Sequence, residues 1–227
     1  MGNYINNLVS FLSQYENKTT DELLKELNII TSAKSKNYVL SQALIYSFEG
    51  KGIAQAKIER DRINIKTIQL KENGCPKEAM SFSPINYCKI VDETWNSSEF
   101  RDYLDRDFIF FIFKNEGVHN YLIKVVNWRI PLSDLDGEVK LVWEDTKSKI
   151  KEGRVFKEKK DEKLITYFLS EKITNICHVR PHGSNSADVI KLPVKDLYTG
   201  YNYAIKQSFW FNHSYLKKIV GDNLEVK

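Results

Sequence analysis

Cysteine is scarce in this sequence, and long apolar runs are missing. Only three cysteines occur, Cys75, Cys88 and Cys177, and no two of them form a CxxC pair. An odd, scattered set argues against a disulfide framework and indicates a reducing compartment. No apolar run approaches the about 18 residues of a membrane span, and residues 1–4 lack the charged and apolar parts of a signal peptide. We therefore expect a cytoplasmic protein that does not enter a membrane.

The sequence does contain enough apolar material for a core. Apolar residues make up 42% of the 227 residues and aromatics 12%, which suits one large domain or two small ones. Charge is uneven: residues 1–146 hold 18 Lys/Arg against 21 Asp/Glu, whereas residues 147–227 hold 16 against 9. This asymmetry suggests that a polyanion meets one end of the molecule. Residues 147–163 alone are typical of a solvated helix end and loop.

Helical signals dominate the amino-terminal part of the chain. An apolar face that includes Leu8 and Leu12 predicts a first helix. Thr19-Thr-Asp-Glu22 is a capping box, in which the threonine hydroxyl and the glutamate satisfy each other's free amides, and it predicts the start of a second helix. A third helix is expected over residues 36–48, ended by Gly50 and Gly52.

A strand is predicted next, over residues 62–70, where polar and apolar residues alternate. Ile63 and Ile65 then lie on a buried face, while Asn64 and Lys66 share the other face.

Further strands and helices follow. A turn signal at residues 71–74 predicts that residues 78–82 return as an antiparallel strand. Residues 95–104 read as a helix with a serine at its start. The apolar run 108–113 is typical of a strand buried on both faces, and residues 121–126 are expected to pair with it.

The last part of the chain adds a helix, two strands and a closing helix. Ser133 is predicted to cap a long amphipathic helix that ends near Gly153. Residues 176–182 and 204–211 read as two strands joined by a polar loop, and Asn212 is expected to cap the closing helix, with Gly221 at its end. This succession predicts a mixed α/β or α+β domain around a central sheet.

Metal and thiol chemistry are weak interpretations of the first of these strands. Cys177 and His178 point to opposite faces of a strand and no fourth ligand stands nearby, so Cys177, His178 and His182 are not expected to hold zinc. Nothing in the sequence identifies an activated Cys177, and a buried cysteine is the common case.

Polar donors crowd at the facing ends of the two strands. Arg180-Pro181-His182-Gly-Ser-Asn185 ends a strand with a rigid bend, from which arginine, histidine and asparagine can donate to phosphates and to base edges. Lys206 and Gln207 stand at the corresponding point of the second strand. Alternation puts Phe209 and Phe211 on one side of this strand, where they are expected in the core. The residues alone leave two readings open: an edge that contacts DNA, or a core arginine–carboxylate pair with a surface histidine.

The order of these motifs resembles the MutH-like family, which comprises the mismatch-repair nickase MutH and the Sau-type restriction endonucleases that cut at GATC. The motifs are Ile63-Asn-Ile-Lys-Thr-Ile68, Glu78-Ala-Met-Ser-Phe82, Ser98-Glu-Phe-Arg101, His178-Val-Arg-Pro-His182 and Lys206-Gln-Ser-Phe-Trp210. The resemblance spans almost the whole chain and is strongest to the carboxy-terminal half of the Sau-type enzymes. It implies one α/β domain with a restriction-endonuclease-like core: a helical part (1–52), a degenerate nuclease core (53–150) and a DNA-recognition part (151–227).

Active members of the family hold a divalent metal with an Asp…Glu-x-Lys constellation, in which carboxylates bind Mg²⁺ and the metal activates water. In this chain the Glu-x-Lys element falls on Asn64-Ile-Lys66, and the upstream aspartate falls on Lys57. Asp61 and Glu59 are odd in spacing from Asn64, so a strand that includes them turns them to the opposite face. The resemblance implies no catalytic residues here, with Asn64 and Lys66 as remnants. It also implies no cofactor for this chain and Mg²⁺ for the catalytic half of the parent enzyme.

The recognition residues are kept better, although His182 replaces a lysine and Ala204 stands where MutH has a tyrosine. The predicted DNA-binding residues are Arg180, Pro181, His182, Asn185, Lys206 and Gln207. The resemblance implies a non-catalytic allosteric effector domain that binds double-stranded DNA containing GATC and works with a catalytic MutH-like amino-terminal domain. A homodimer is left open. Two alternatives stand beside this one: a complete Mg²⁺-dependent GATC endonuclease with a relocated metal ligand, and a dimerisation module that does not bind DNA.

Overall fold

The computed structural model describes residues 2–161, 163–185 and 187–224. Two compact units divide the chain. The first consists of Met1–Glu78, Arg106–Arg129 and Lys217–Lys227, and the second of Ala79–Asp105 and Ile130–Leu216. The three predicted parts do not follow these bounds, and the single-domain organisation stays a prediction.

The helices and strands alternate along much of the chain. The helices are α1 (Gly2–Leu12), α2 (Thr20–Glu26), α3 (Lys36–Glu49), α4 (Lys51–Asp61), α5 (Tyr87–Ile90), α6 (Glu99–Leu104), α7 (Leu132–Asp134), α8 (Lys140–Lys151) and α9 (His213–Leu224). The strands are β1 (Lys18–Thr19), β2 (Asn64–Leu70), β3 (Met80–Pro84), β4 (Phe108–Glu116), β5 (His119–Trp128), β6 (Phe156–Lys160), β7 (Lys163–Thr166), β8 (Cys177–Pro181), β9 (Val189–Lys191), β10 (Tyr203–Ile205) and β11 (Gln207–Phe211). In the part of the chain that the structure describes, no helix is long and apolar enough to span a membrane.

The first unit is built on a four-stranded mixed sheet in the order β1-β5-β4-β2. β2 runs parallel to β4, while β5 runs antiparallel to both β4 and β1. Residues 108–113 of β4 are completely buried, which confirms the prediction of a strand covered on both faces. On one face Ile109, Phe111 and Phe113 pack with apolar residues of α1, α2 and α3. The expected mixed α/β architecture with an amino-terminal helical part is therefore confirmed.

The capping box forms as predicted. Thr19 Oγ1 accepts a hydrogen bond from Glu22 N (3.2 Å), and Glu22 Oε2 accepts one from Thr19 N (2.8 Å). Gly50 ends α3 with a φ of 85°, but Gly52 does not, because it lies inside α4. α4 was not predicted from the sequence. Arg62 ends this helix in the left-handed conformation (φ 55°), so the strand begins at Asn64 and not at residue 62.

The predicted return strand beside β2 is wrong. The turn at residues 71–74 forms, with Gly74 N donating to Lys71 O (2.9 Å) at a φ of 75°. The chain then makes only a single bridge, Leu70 to Pro76, next to β2. β3 instead pairs antiparallel with β11 in the second unit. Local turn chemistry predicted the turn, whereas the partner of β3 lies far away in sequence.

The second unit contains a three-stranded sheet in the order β3-β11-β8 and two two-stranded ribbons, β6–β7 and β9–β10. Residues 147–163, expected as a helix end and loop, form the end of α8 and most of the β6–β7 ribbon, whose Glu162 lies outside the described residues. The loop predicted over residues 183–202 contains β9, and Ser186 within it is likewise outside the described part. The second predicted strand is split at Lys206, because β10 pairs with β9 and β11 pairs with β8.

Two predicted helix ends need correction. Ser133 does not cap the amphipathic helix: it lies inside α7, whose first flanking residue is Pro131. The helix is also interrupted at Gly137, where φ is −94° and ψ is −111°, before α8 continues to Lys151. Its end near Gly153 is confirmed. Gly221 does not end the closing helix, since α9 runs on to Leu224.

Candidate nucleic-acid interface

The β8–β11 pair separates a polar face from a core face. In its register Arg180 lies opposite Ser208 and His178 lies opposite Trp210. Because alternate residues of a strand share a face, the polar face consists of His178, Arg180, His182, Ser208 and Trp210. Phe209 and Phe211 lie on the other face and are 3% and 0% exposed, as predicted for core residues. The sheet thus places Arg180 and His182 on the face opposite Phe209 and Phe211, and His178 and Ser208 form the buried part of that face.

An aromatic contact organises the polar face. The guanidinium carbon of Arg180 lies 3.8 Å from the centre of the Trp210 ring, and the His182 ring meets the same indole at a centroid distance of 5.1 Å. His182 Nδ1 also lies 2.7 Å from Ser208 Oγ. Among the described residues Arg180 makes no ion pair with a carboxylate, so the arginine–carboxylate pair left open by the sequence does not form there. Arg180 and His182 are held by Trp210 and Ser208 instead.

The loop after β8 is docked on Lys206. His182 N donates to Lys206 O (2.8 Å), Lys206 N donates to Asp188 O (3.0 Å), and Lys206 Nζ lies 2.5 Å from Asp188 Oδ1. The hydrogen bond from Lys206 lowers the pKa of Asp188. A Cβ at Gly183 would stand 3.0 Å from Ile205 Cγ1, which explains the glycine at this bend. The predicted residues Arg180, His182 and Lys206 are therefore linked at one end of the strand pair.

Asn185 and Pro181 lie at the rim of this arrangement. Both are exposed. Asn185 Oδ1 accepts a hydrogen bond from Ala187 N (2.9 Å), which is a local turn typical of asparagine. The side-chain carbonyl of Asn185 is therefore engaged by its own loop, which leaves its amide group as the donor for a partner.

Gln207 differs from the other predicted residues. It is 1% exposed and lies on the core face with Phe209, and neither of its side-chain amide atoms has a partner among the described residues. Its backbone oxygen accepts a hydrogen bond from Ile85 N (2.8 Å), which joins β11 to the end of β3. A side-chain contact to DNA would require the surface around Gln207 to open, and its role in binding stays a prediction.

His178 is a polar-face residue that the sequence analysis considered only as a metal ligand. It is 2% exposed, and its Nδ1 lies 2.7 Å from Asn212 Oδ1, while Asn212 Nδ2 donates to Thr174 O (2.8 Å). This orientation makes Nδ1 the donor and leaves Nε2, which has no partner among the described residues, unprotonated. Burial lowers the pKa of His178. The Asn212 side chain, expected to cap α9, is thus occupied by His178 and Thr174.

Cys177 and His178 lie on opposite faces of β8, as the argument against a zinc site assumed. Cys177 is completely buried on the core face, opposite to His178, and burial raises the pKa of its thiol. Among the residues that the structure describes, no three His, Cys, Asp or Glu side chains are grouped as a metal site would require.

The remnant nuclease position lies in the first unit. Asn64 and Lys66 lie on the same face of β2, opposite Phe108 and Phe110 of β4. Asn64 is 6% exposed, and burial lowers the pKa of Lys66. Lys57 is on α4, where its Nζ lies 2.6 Å from Glu49 Oε2 and 4.7 Å from the centre of the Tyr4 ring.

These residues do not fit a magnesium ion, since the aligned positions supply one amide and two ammonium groups where Mg²⁺ binds carboxylates. The prediction that strand alternation turns Asp61 away from Asn64 does not apply, because Asp61 ends α4 and precedes β2. Its carboxylate is bound by Arg60, with Nε 2.8 Å from Oδ1 and a terminal guanidinium nitrogen 3.0 Å from Oδ2. The pKa of Asp61 is lowered by this hydrogen bonding.

Comparison with known proteins identifies similar sequences for both parts of the chain. The family described as the DNA mismatch repair enzyme MutH matches residues 46–151, which include β2 with Asn64 and Lys66 and end before β8. The type II restriction enzyme Sau3AI of Staphylococcus aureus is 29% identical over an alignment of 244 residues, which covers 92% of this chain and 50% of that enzyme. The chain thus spans about half the length of this curated relative.

The matches and the mixed sheet define a restriction-endonuclease-like fold. The chain is similar to MutH over residues 46–151 and to a Sau-type restriction enzyme over most of its own length, so the resemblance seen in the order of its motifs is confirmed.

Proposed function

We propose that this chain binds double-stranded DNA at GATC without cutting it, as the non-catalytic allosteric effector part of a type II restriction endonuclease. The observation that carries the proposal is the polar face, on which Trp210 and Ser208 fix Arg180 and His182. Arginine pairs with guanine by donating two hydrogen bonds to O6 and N7. Its donors lie in the plane of the guanidinium, so stacking on an indole leaves that edge oriented for a base.

The remaining predicted residues have supporting roles in this proposal. Lys206, Asn185 and Pro181 lie beside Arg180 and His182, where a cation and an amide can contact phosphates or base edges. Lys206 Nζ lies 2.5 Å from Asp188 Oδ1, and we expect a DNA phosphate to take the place of that carboxylate on binding. Gln207, which is buried, acts by keeping the end of β11 in place.

The proposal that this chain does not cut DNA is supported by the side chains at the remnant nuclease position. Asn64 and Lys57 stand in place of acids, and Glu49 is paired to Lys57, so the aligned positions lack the free carboxylates that bind a divalent cation. Mg²⁺ is therefore proposed for a catalytic MutH-like domain that works with this chain, and not for the chain itself. Binding of one GATC copy here would change the activity of that domain on another copy, a coupling of two sites that is allosteric by definition.

A gel-shift series with a GATC duplex and a scrambled duplex, over several salt concentrations, tests the proposal. Specific DNA-binding proteins prefer their site by about 10³-fold or more, and phosphate contacts make both affinities fall steeply with salt. Equal affinity for the two duplexes at every salt concentration would rule out GATC recognition. Absence of binding even at low salt, together with a stable dimer, would instead support the dimerisation module.

A further inference from the structure

A second basic surface occurs in the second unit, on the β6–β7 ribbon. We name it the basic ribbon and define it by Lys157, Lys159, Lys160 and Lys163, all of which are exposed. Residues 147–163 contain eight Lys/Arg against four Asp/Glu, an excess of +4 that equals the formal net charge of the entire chain. Much of the carboxy-terminal charge asymmetry is thus concentrated on this ribbon and the adjoining helix end.

The tip of the basic ribbon places like charges side by side. Lys160 lies directly opposite Lys163, next to Asp161, whose φ of 48° makes the tight turn. Like charges in directly opposed positions destabilise a strand pair, and an isolated two-stranded ribbon is marginally stable in water. The local sequence therefore works against the structure it forms, and a polyanion bound at the tip would remove this repulsion.

A buried carboxylate anchors the base of the basic ribbon. Asp196 is 1% exposed, and its Oδ2 accepts hydrogen bonds from Val155 N and Phe156 N, both at 2.9 Å. Its Oδ1 accepts from Thr199 N and Thr199 Oγ1, also at 2.9 Å. Asp196 therefore joins the start of β6 to the connection between β9 and β10. That connection leads through β10 directly into Lys206.

A close backbone approach reinforces the same junction. Leu197 N donates to Gly153 O (2.7 Å), and a Cβ at Gly153, whose φ is 68°, would stand 2.6 Å from Lys195 O. Any side chain at Gly153 would push α8 and the ribbon away from the β9–β10 connection. The base of the basic ribbon is therefore fixed within the unit that carries the polar face.

We infer that the basic ribbon is a second DNA-contacting element, which binds phosphates of the duplex outside the bases contacted by Arg180. The inference rests on the proposed function, since it requires that the chain bind DNA. Lysine is a compact point charge without the planar fork of arginine, which suits contact with phosphate oxygens and carries no base preference. The polar face supplies sequence preference, and the basic ribbon supplies salt-dependent affinity.

The test is the salt dependence of binding by the triple variant Lys157→Gln, Lys160→Gln and Lys163→Gln. Each lost phosphate contact lowers the slope of log K against log salt by about 0.9, so we expect the slope to fall by about 2–3. The ratio of GATC to scrambled affinity should stay at the wild-type value. A matched control removes three exposed lysines of the first unit with the same change in net charge, Lys25→Gln, Lys34→Gln and Lys36→Gln. It should keep the wild-type slope.

The outcomes separate this inference from the proposed function. If the wild-type chain prefers GATC but the ribbon variant keeps the slope of the control, the inference alone is overturned, and an acidic protein surface becomes the partner class for these lysines. If the wild-type chain binds no DNA, both fall. A loss of GATC preference in the ribbon variant, without a change of slope, would also overturn the division of roles.

Discussion

Arg180 of β8 lies over the side chain of Trp210 on the neighbouring strand β11, with its guanidinium carbon 3.8 Å from the centre of the indole ring. Cation–π contacts of this kind are worth about 0.5–1 kcal/mol at exposed sites and more where water is excluded. Trp210 itself lies opposite His178, so a single tryptophan contacts the basic residue proposed to read a base and borders a buried histidine. The orientation of Arg180 is therefore a property of the strand pair and not of Arg180 alone.

Substitution of Trp210 tests this positioning role. Trp210 Nε1 is buried and has no partner among the described residues, so Trp210→Phe keeps an aromatic face without breaking a hydrogen bond. We expect Trp210→Phe to retain most of the GATC preference and Trp210→Leu to weaken GATC binding by about 0.5–2 kcal/mol. The salt slope should stay unchanged in both, as measured by fluorescence anisotropy. A Leu variant with full GATC preference would show that Arg180 needs no aromatic support.

His178 predicts a pH dependence of stability. Burial lowers its folded-state pKa below the ordinary value of 6.5, so the unfolded chain binds the proton more readily than the folded one. The contribution of neutral His178 to the free energy of unfolding is then fully present above pH 6.5 and is lost as the pH falls through the folded-state pKa. In denaturant titrations the free energy of unfolding should drop in this range for the wild type and drop less for His178→Gln. His119→Gln, at an exposed position, controls for the loss of a histidine; identical profiles for all three proteins would refute the assignment.

Asp196 is predicted to be a large single contributor to the stability of the second unit. It accepts hydrogen bonds from five donors while almost completely buried. Asp196→Ala leaves buried N–H groups unpaired, so we expect a loss of about 3 kcal/mol in the free energy of unfolding. Asp92→Ala, at an exposed position, should change it by less than about 0.5 kcal/mol. If chemical denaturation gives the same small change in the free energy of unfolding for both variants, the role of Asp196 is contradicted.

The donors at Asn64 and Lys57 predict that the purified chain leaves a GATC-containing plasmid intact in Mg²⁺. The variant Asn64→Glu should also fail to cleave, since it restores one carboxylate beside Lys66, while Lys57 still stands where active relatives have an aspartate. Agarose-gel assays measure both, with a restriction endonuclease that cuts at GATC as the positive control. Cutting at GATC by the unmodified chain would favour the alternative of a complete endonuclease with a relocated metal ligand.

The elements that were predicted correctly are those whose signals are local. The capping box at Thr19 and the apolar run of β4 each specify their structure within a few residues. α4 was missed because Gly50 and Gly52 read as helix breakers, although only Gly50 takes a positive φ. The partner of β3 was wrong because strand pairing depends on contacts far apart in sequence.

The candidate site shows the same division. Strand alternation placed Phe209 and Phe211 in the core, and the same alternation puts Gln207 on their side of the sheet. Asp196 gave no signal, since an aspartate before Leu-Tyr-Thr looks like an ordinary loop residue. Only the fold shows that its carboxylate joins β6 to the β9–β10 connection.

The ratio of GATC to scrambled-duplex affinity, measured for the wild-type chain and for Arg180→Ala under one salt condition, tests the central claim most directly. We expect the wild type to show a clear preference for GATC. In the variant we expect a loss of about 1–3 kcal/mol on the GATC duplex alone, so that the preference is flattened. An equal loss on both duplexes, or no loss on either, would contradict the claim that Arg180 reads a base.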